Sequence, residues 1–289
     1  MAPGHGPSSA SHPTGPAHPV VQMPYRCAAC MRPQIAFRLC CPDCGAWNSI
    51  ESQANRVSAG DSRPVALDEI GPIEWPRRMS NILQLDALLG NGFVPGSSLL
   101  LTGTPGAGKS TLVMQILAAM KVSSLYASGE ESVQQLKIRA NRLKISSPRI
   151  LLLFETQVRK ILAHTEICRP EILVIDSIQT VYTDSSDSAP GGPSQIRKCS
   201  YELRRAAQQQ GFVLILVGQV TKGGRAAGPK LLEHAVDVVL TLEAEEGRRR
   251  CLSASKNRFG STGERCTLLM EEEGLVFRNQ VAGGPAERP

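Results

Sequence analysis

The apolar run Leu99-Leu100-Leu101-Thr102 leads directly into Gly103-Thr104-Pro105-Gly106-Ala107-Gly108-Lys109-Ser110-Thr111. Gly103 and Gly108, with four residues between them and Lys109-Ser110 after them, have the spacing of a phosphate-binding loop. Leu112, Val113, Ile116, Leu117 and Met120 continue at helical period. Strand, loop, helix is the context such a loop needs. The glycines let main-chain N–H groups turn inward around phosphate oxygens, and the helix that begins near Lys109 aims its positive end at the same anion. Lys109 adds a mobile cation for the outer phosphates, and Ser110 offers a hydroxyl to magnesium. Gly103 to Thr111 are therefore the expected ATP-binding residues, with ATP and Mg2+ as cofactors.

The rest of the chain predicts the fold around that loop. Short apolar runs at Ser124–Ser128, Ile150–Phe154, Ile172–Ile175, Phe212–Val217 and Val238–Leu242 alternate with helix-period stretches. Near-continuous Leu, Ile and Val implies strands covered on both faces, hence a mainly parallel sheet. A doubly wound α/β fold with ligands at the strand ends follows. Helices are expected at Asn81 to Gly90, at Ser132 to Leu143, and after Ser194, which would cap a segment turning Ile196, Cys199, Leu203 and Ala207 inward.

Within 289 residues there is room for one large and one small domain. The expected division is a disordered tail over 1–24, a cysteine knuckle over 25–50, a linker over 51–70, an ATPase domain over 71–282 and a short tail over 283–289. The first segment is rich in Pro, Gly, Ser and Ala, and cannot bury enough apolar surface to order itself. His5, His12 and His18 in it read as solvated tail residues. No apolar run reaches the roughly 18 residues of a membrane helix, and no signal peptide is visible. A net charge of +6 permits a nucleic-acid partner without requiring one.

Four of the nine cysteines form two C-x-x-C pairs, Cys27/Cys30 and Cys41/Cys44. Such pairs suit tetrahedral zinc, and two of them close the coordination shell, so the expected site is structural. In so short a segment the metal would supply much of the folding energy. Two disulfides or a redox pair is the alternative, disfavoured because the remaining cysteines are scattered as in a reducing compartment. Cys40 adjoins Cys41, but only Cys41 has the right spacing to Cys44.

Strand ends supply the remaining chemistry. Ile172 to Asp176 is an apolar strand ending in a carboxylate, the arrangement by which phosphate-loop enzymes hold magnesium. Glu130 and Glu131 follow another strand, where a carboxylate can activate water; paired acids also stabilise a helix N-terminus. Glu130 is taken as the base and Glu131 as its neighbour. Gln219, ending a third strand, reads either as a sensor of the terminal phosphate or as an ordinary strand-end polar residue. Two segments read as mobile: Thr183 to Pro193, and the basic Lys222 to Lys230. Lys222, Arg225 and Lys230 suit a phosphate backbone, and a solvated basic loop is the equal alternative. Lys256 and Arg258 read either as cations reaching a neighbouring subunit's ATP or as an exposed basic turn.

Together these residues resemble the bacterial RadA (Sms) family of RecA-like DNA-repair ATPases. The resemblance rests on Cys44-Gly45-Ala46-Trp47-Asn48-Ser49, the phosphate loop, Tyr126 to Ser132, Val217 to Lys222, Ala227 to His234, and Lys256-Asn257-Arg258-Phe259-Gly260-Ser261-Thr262. It implies a RecA-like core behind a small zinc knuckle, assembled as a cytoplasmic hexameric ring. It also implies an ATPase that loads on single-stranded or branched DNA and drives branch migration beside the recombinase RecA. It raises Lys256 and Arg258 to functional residues at an ATP-bearing subunit interface and DNA channel. Gln219 stands where the family usually has His. The family also carries a C-terminal domain resembling that of Lon protease, whereas this sequence stops at Pro289. ATP binding is expected to survive this, with the ring weakened. A nucleotide-switched module that docks repair partners with little turnover is the competing reading. A clock-type signalling ATPase is a third, opposed by the knuckle and the Lys256 signature.

Overall fold

The computed structural model describes residues 1, 25–34, 38, 40–47, 49–52, 65–70, 76–186, 188–219 and 231–278. The chain divides into two compact units, Met1–Ile73 and Glu74–Pro289. His5, His12, His18, Lys222, Arg225 and Lys230 lie outside the described residues.

In the first unit β1 (Tyr25–Cys27) pairs antiparallel with β2 (Pro33–Gln34) and with β3 (Ile50–Ser52). β3 carries the knuckle two residues past its expected end, because Ile50 opposite Cys27 is buried beside the cysteines. Among the described residues, Cys27, Cys41 and Ile50 are the buried apolar ones there. Three such side chains contribute only a few kcal/mol.

The second unit is built on a nine-stranded sheet in the order β12-β11-β10-β9-β4-β8-β7-β5-β6. Six strands are parallel: β4 (Ser98–Thr102), β5 (Ser124–Ser128), β6 (Ile150–Phe154), β7 (Ile172–Asp176), β8 (Val213–Val217) and β9 (Val238–Ala244). The period of two along each strand divides the core. Leu99, Leu101, Val174 and Ile215 join one cluster with α1 (Leu83–Leu89), α2 (Lys109–Met120) and α3 (Val133–Arg142). Leu100, Leu173, Ile175 and Leu214 join the other with α4 (Val158–Cys168) and α5 (Pro193–Gln210). Helices on both faces explain why the strand middles are mostly apolar, with polar residues mainly at the strand ends.

Register then positions the site. Leu101 pairs with Val217, Val217 with Asp176, and Asp176 with Ser128. The carboxyl ends of β4, β8, β7 and β5 therefore form one row, and the phosphate loop leaves from that row.

The antiparallel edge β10 (Arg249–Asn257), β11 (Arg265–Glu271) and β12 (Gly274–Phe277) is an addition to the expected strands. Two expectations are corrected. Gly192, not Ser194, is the N-cap of α5, with Pro193 in the first turn, where a missing N–H costs nothing. The described part of 183–193 is anchored and does not read as mobile. Gln195, 2 % exposed, donates Nε2 to the carbonyls of Thr183, Ser186 and Ser188, and Glu202 Oε1 accepts from the Thr183 and Ser185 hydroxyls.

Candidate nucleotide site and metal centre

The phosphate loop is held open by its glycines. Gly103 has φ +154°, and a Cβ built there would lie 2.2 Å from the Leu242 carbonyl oxygen. Only glycine lets the loop leave β4 this close to β9. At Gly108, φ +107°, a Cβ would strike Met270 Cε at 2.6 Å. Gly108 is also the N-cap of α2, so the first helical N–H groups face the loop. Lys109 donates Nζ to the carbonyls of Gly103 (2.9 Å) and Thr104 (3.0 Å), which keeps the ammonium over the loop. Burial pushes the Lys109 ammonium below its ordinary value, against the opposing pull of Asp176 and Glu130.

A cleft of about 470 Å3 runs beside the loop and is lined by Lys109, Ser110, Asp176, Glu130 and Gln219 among others. Each acid is fixed differently. Asp176, 8 % exposed, accepts from the hydroxyl of Tyr126, one of the largest fully buried side chains. Burial first, and then Asp176 itself, push the Tyr126 hydroxyl well up, so it stays a donor. Glu130 Oε1 accepts from Ser177 Oγ (2.6 Å) and Gln219 Nε2 (3.1 Å). Glu131 is instead paired with Arg139 of α3. Ser128 Oγ accepts from the main-chain N–H groups of both Glu130 (3.3 Å) and Glu131 (2.9 Å), and a capping box of Ser132 and Gln135 starts α3 just beyond. Two adjacent acids thus have separate partners.

Lys256 and Arg258 lie elsewhere. β10 pairs antiparallel with β9, with Arg250 opposite Ala244 and Asn257 opposite Val238. Arg250 Nε donates to the Ala107 carbonyl of the phosphate loop at 3.2 Å, so the loop is at one end of β10 and Lys256 and Arg258 at the other. Lys256 donates Nζ to the carbonyls of Glu233 (2.9 Å), His234 (3.1 Å) and Val236 (2.7 Å). Arg258 Nη1 donates to Asp237 Oδ1 at 3.2 Å.

In the other unit the Sγ atoms of Cys27, Cys30, Cys41 and Cys44 all lie within 4.8 Å of one another. Cys27 and Cys44 are 3.7 Å apart, and Cys30 and Cys41 3.8 Å, close to the ~3.8 Å tetrahedron edge that a 2.3 Å zinc–sulfur bond sets. Cys40 stands outside this cluster, its Sγ donating to the Gly45 carbonyl at 3.3 Å. The Ser49 hydroxyl first, and then the Cys30 main chain, bring the Cys27 thiol down to about 6, whereas at Cys44, against a main-chain bond at Ala46, burial and the neighbouring thiols push the thiol up to about 12; it is the cluster geometry that points to a metal. Buried Cys199 is pushed up to about 12, as suits an inert core thiol.

Sequence reasoning assigned no role to Tyr126, Ser177, Arg139, Arg142, Arg250 or Met270. The first two border residues already singled out. Arg139 and Arg142 sit three apart on one face of α3 and line the cleft. Arg250 and Met270 arrive on the antiparallel edge, whose alternation of buried Cys266 and Leu268 with half-exposed Thr267, followed by the Glu272-Glu273-Gly274 turn, was the available signal.

A family model described as an AAA domain matches residues 69–225, more than half of the chain. The DNA repair protein RadA of Bacillus subtilis (strain 168) is 44% identical over 252 residues, covering 82% of this chain and 55% of that protein. RadA of Pseudomonas aeruginosa is 41% identical over 264 residues, 87% of this chain and 58% of that protein. The chain thus spans a little over half the length of these relatives. Among solved structures, a KaiC-like protein from the hyperthermophilic archaeon Pyrococcus horikoshii OT3 superposes with a TM-score of 0.59 at 20% identity, covering 72% of this chain and all of that one; this shows the fold. The chain belongs to the AAA-domain family, and within it to the relatives of the bacterial DNA repair protein RadA.

Proposed function

We propose that this chain is the ATPase part of a recombinational DNA-repair motor. It hydrolyses ATP with magnesium, is stimulated by single-stranded DNA, and promotes branch migration of recombination intermediates beside the recombinase RecA, as a homo-oligomeric ring in the cytoplasm. One observation carries the reading: Lys109, Asp176, Glu130 and Gln219 converge on one cleft from the ends of four neighbouring strands.

Lys109 and the loop's main-chain N–H groups grip the phosphates. The hydroxyl of Ser110 and the buried carboxylate of Asp176 are hard oxygen donors that fit magnesium. The ion, when bound, neutralises charge that develops on the transferred phosphoryl group. Glu130, facing the cleft and in no ion pair among the described residues, takes a proton from the attacking water. Gln219, already bonded to Glu130, aligns that carboxylate with the terminal phosphate. Arg258, with Lys256 beside it, serves the boundary with a neighbouring subunit. Lys222, Arg225, Lys230, Lys256 and Arg258 are the proposed DNA-contacting cations. Four thiolates in a tetrahedral cluster fit zinc as a structural ion. ATPase rate measured against protein concentration and single-stranded DNA tests the motor; a rate indifferent to both contradicts it.

The exposed Trp47, at 73 % on the knuckle, favours a second reading, in which the knuckle docks a partner protein and ATP switches the assembly with little turnover. Pull-down of repair proteins by Cys27→Ser, compared with Lys109→Ala, separates docking from nucleotide control.

A further inference from the structure

Arg258 cannot serve the nucleotide of its own chain. Arg250, near the start of β10, touches the phosphate loop, and Asn257 lies seven residue steps further along that strand. At about 3.3 Å per residue that is roughly 23 Å, well beyond the reach of an arginine side chain. Arg258 nevertheless has a built seat. Its Nη1 donates to Asp237 Oδ1 and its main-chain N–H to the Asp237 carbonyl at 3.1 Å. Asp237 is 8 % exposed, and its Oδ2 accepts from Ser98 N (2.9 Å) and Ser98 Oγ (2.6 Å). Arg204 Nε donates to that same Ser98 hydroxyl at 3.3 Å. On the other side, the three carbonyls bound by Lys256 fix the turn that ends at Val236, the residue before Asp237. Arg77 donates Nη2 to the Phe259 carbonyl at 3.0 Å, and Asn257 donates Nδ2 to the Leu88 carbonyl at 3.1 Å. The carboxylate is bonded at both oxygens, while the Arg258 side chain is 55% exposed. An exposed ion pair contributes little stability, so a seat with this many bonds is out of proportion to a merely structural pair.

We propose that Asp237 is a positioning residue: it holds the Arg258 guanidinium in the orientation in which it meets an anionic group on a second copy of this chain. This rests on the reading of an assembled ATPase given above. Because Asp237 hangs from Ser98, the first residue of β4, and β4 ends at the phosphate loop, the seat is rigidly joined to the subunit's own cleft. The neutral isostere loses the ion pair but keeps a carbonyl oxygen for Ser98.

The test compares wild type, Asp237→Asn, Asp237→Glu, Arg258→Ala and the Asp237→Asn/Arg258→Ala double variant. Readouts are binding of a fluorescent ATP analogue, DNA-stimulated kcat, and ATP-driven self-association by sedimentation. Asp237→Asn should bind the analogue within about twofold of wild type while kcat and self-association fall on the order of tenfold. Asp237→Glu should recover part of that loss. The double variant should be no worse than Arg258→Ala, as expected when one residue acts through the other. Wild-type kcat and assembly in Asp237→Asn, or a double variant whose losses multiply, overturns the proposal. If the wild type assembles with ATP but does not hydrolyse it, the motor reading fails, and the self-association arm still decides the role of Asp237.

Discussion

Gln219 Nε2 lies 3.1 Å from Glu130 Oε1, joining the ends of two strands, β8 and β5, that are separated in the sheet by β7. β7 contributes Ser177, just past its end, to the same carboxylate. The candidate base is thus oriented by residues from two other strand ends, whereas Glu131 next to it is neutralised by Arg139. Glu130→Gln should therefore keep ATP binding within about threefold and lower kcat at least 100-fold. Glu131→Gln should lower kcat by less than about tenfold and act mainly on the stability of α3. Single-turnover hydrolysis of both variants checks this.

The loop geometry makes its own prediction. Gly103→Ala places a methyl 2.2 Å from the Leu242 carbonyl at a φ that disfavours side chains. It should destabilise the ATPase unit by about 3 kcal/mol or more, visible as a lower midpoint in urea unfolding. Gly106→Ala meets nothing within 4 Å, though its φ of +79° is also strained, and should cost about 1–2 kcal/mol.

The lowered Lys109 ammonium gives a pH dependence with a definite sign. The charged form that grips phosphate is present below its folded-state pKa, which lies under the ordinary lysine value because of burial. ATP affinity should thus weaken as pH rises through a range below that of an ordinary lysine, and binding should take up protons there. Calorimetry in two buffers of different ionisation enthalpy measures the uptake. Lys109→Ala should lack that component.

The knuckle should follow its metal. One zinc per chain is expected, lost in Cys27→Ser and retained in Cys40→Ser, since Cys40 Sγ stands outside the cluster. Chelation should unfold the knuckle, whose described residues bury few apolar side chains, and leave the ATPase unit's thermal midpoint unchanged. Metal analysis and amide exchange read both.

Much of this was legible because it is encoded by local rules. The phosphate loop is contiguous and its glycines are demanded by backbone geometry. The parallel strands announce themselves because both of their faces are covered. Cys41 is distinguished from Cys40 by spacing alone. What local pattern does not encode is long-range pairing. Arg250 and Met270 reach the cleft only because β10 and β11 extend the sheet beyond β9, and their weaker alternation gave no hint of that neighbour. Segment 183–193 looked unable to pack because its own residues are small and polar. Its described part is anchored by Gln195, a residue of the next helix, whose side-chain amide satisfies the carbonyls of Thr183, Ser186 and Ser188. The remote placement of Lys256 and Arg258 likewise follows from strand direction, not from any motif.

The most direct measurement is the affinity of ATP for wild type and for Lys109→Ala, taken on folded protein with magnesium present. Removal of the ammonium that now bridges Gly103 and Thr104 should weaken binding at least 100-fold. Equal uptake of labelled ATP by the two proteins would contradict the account.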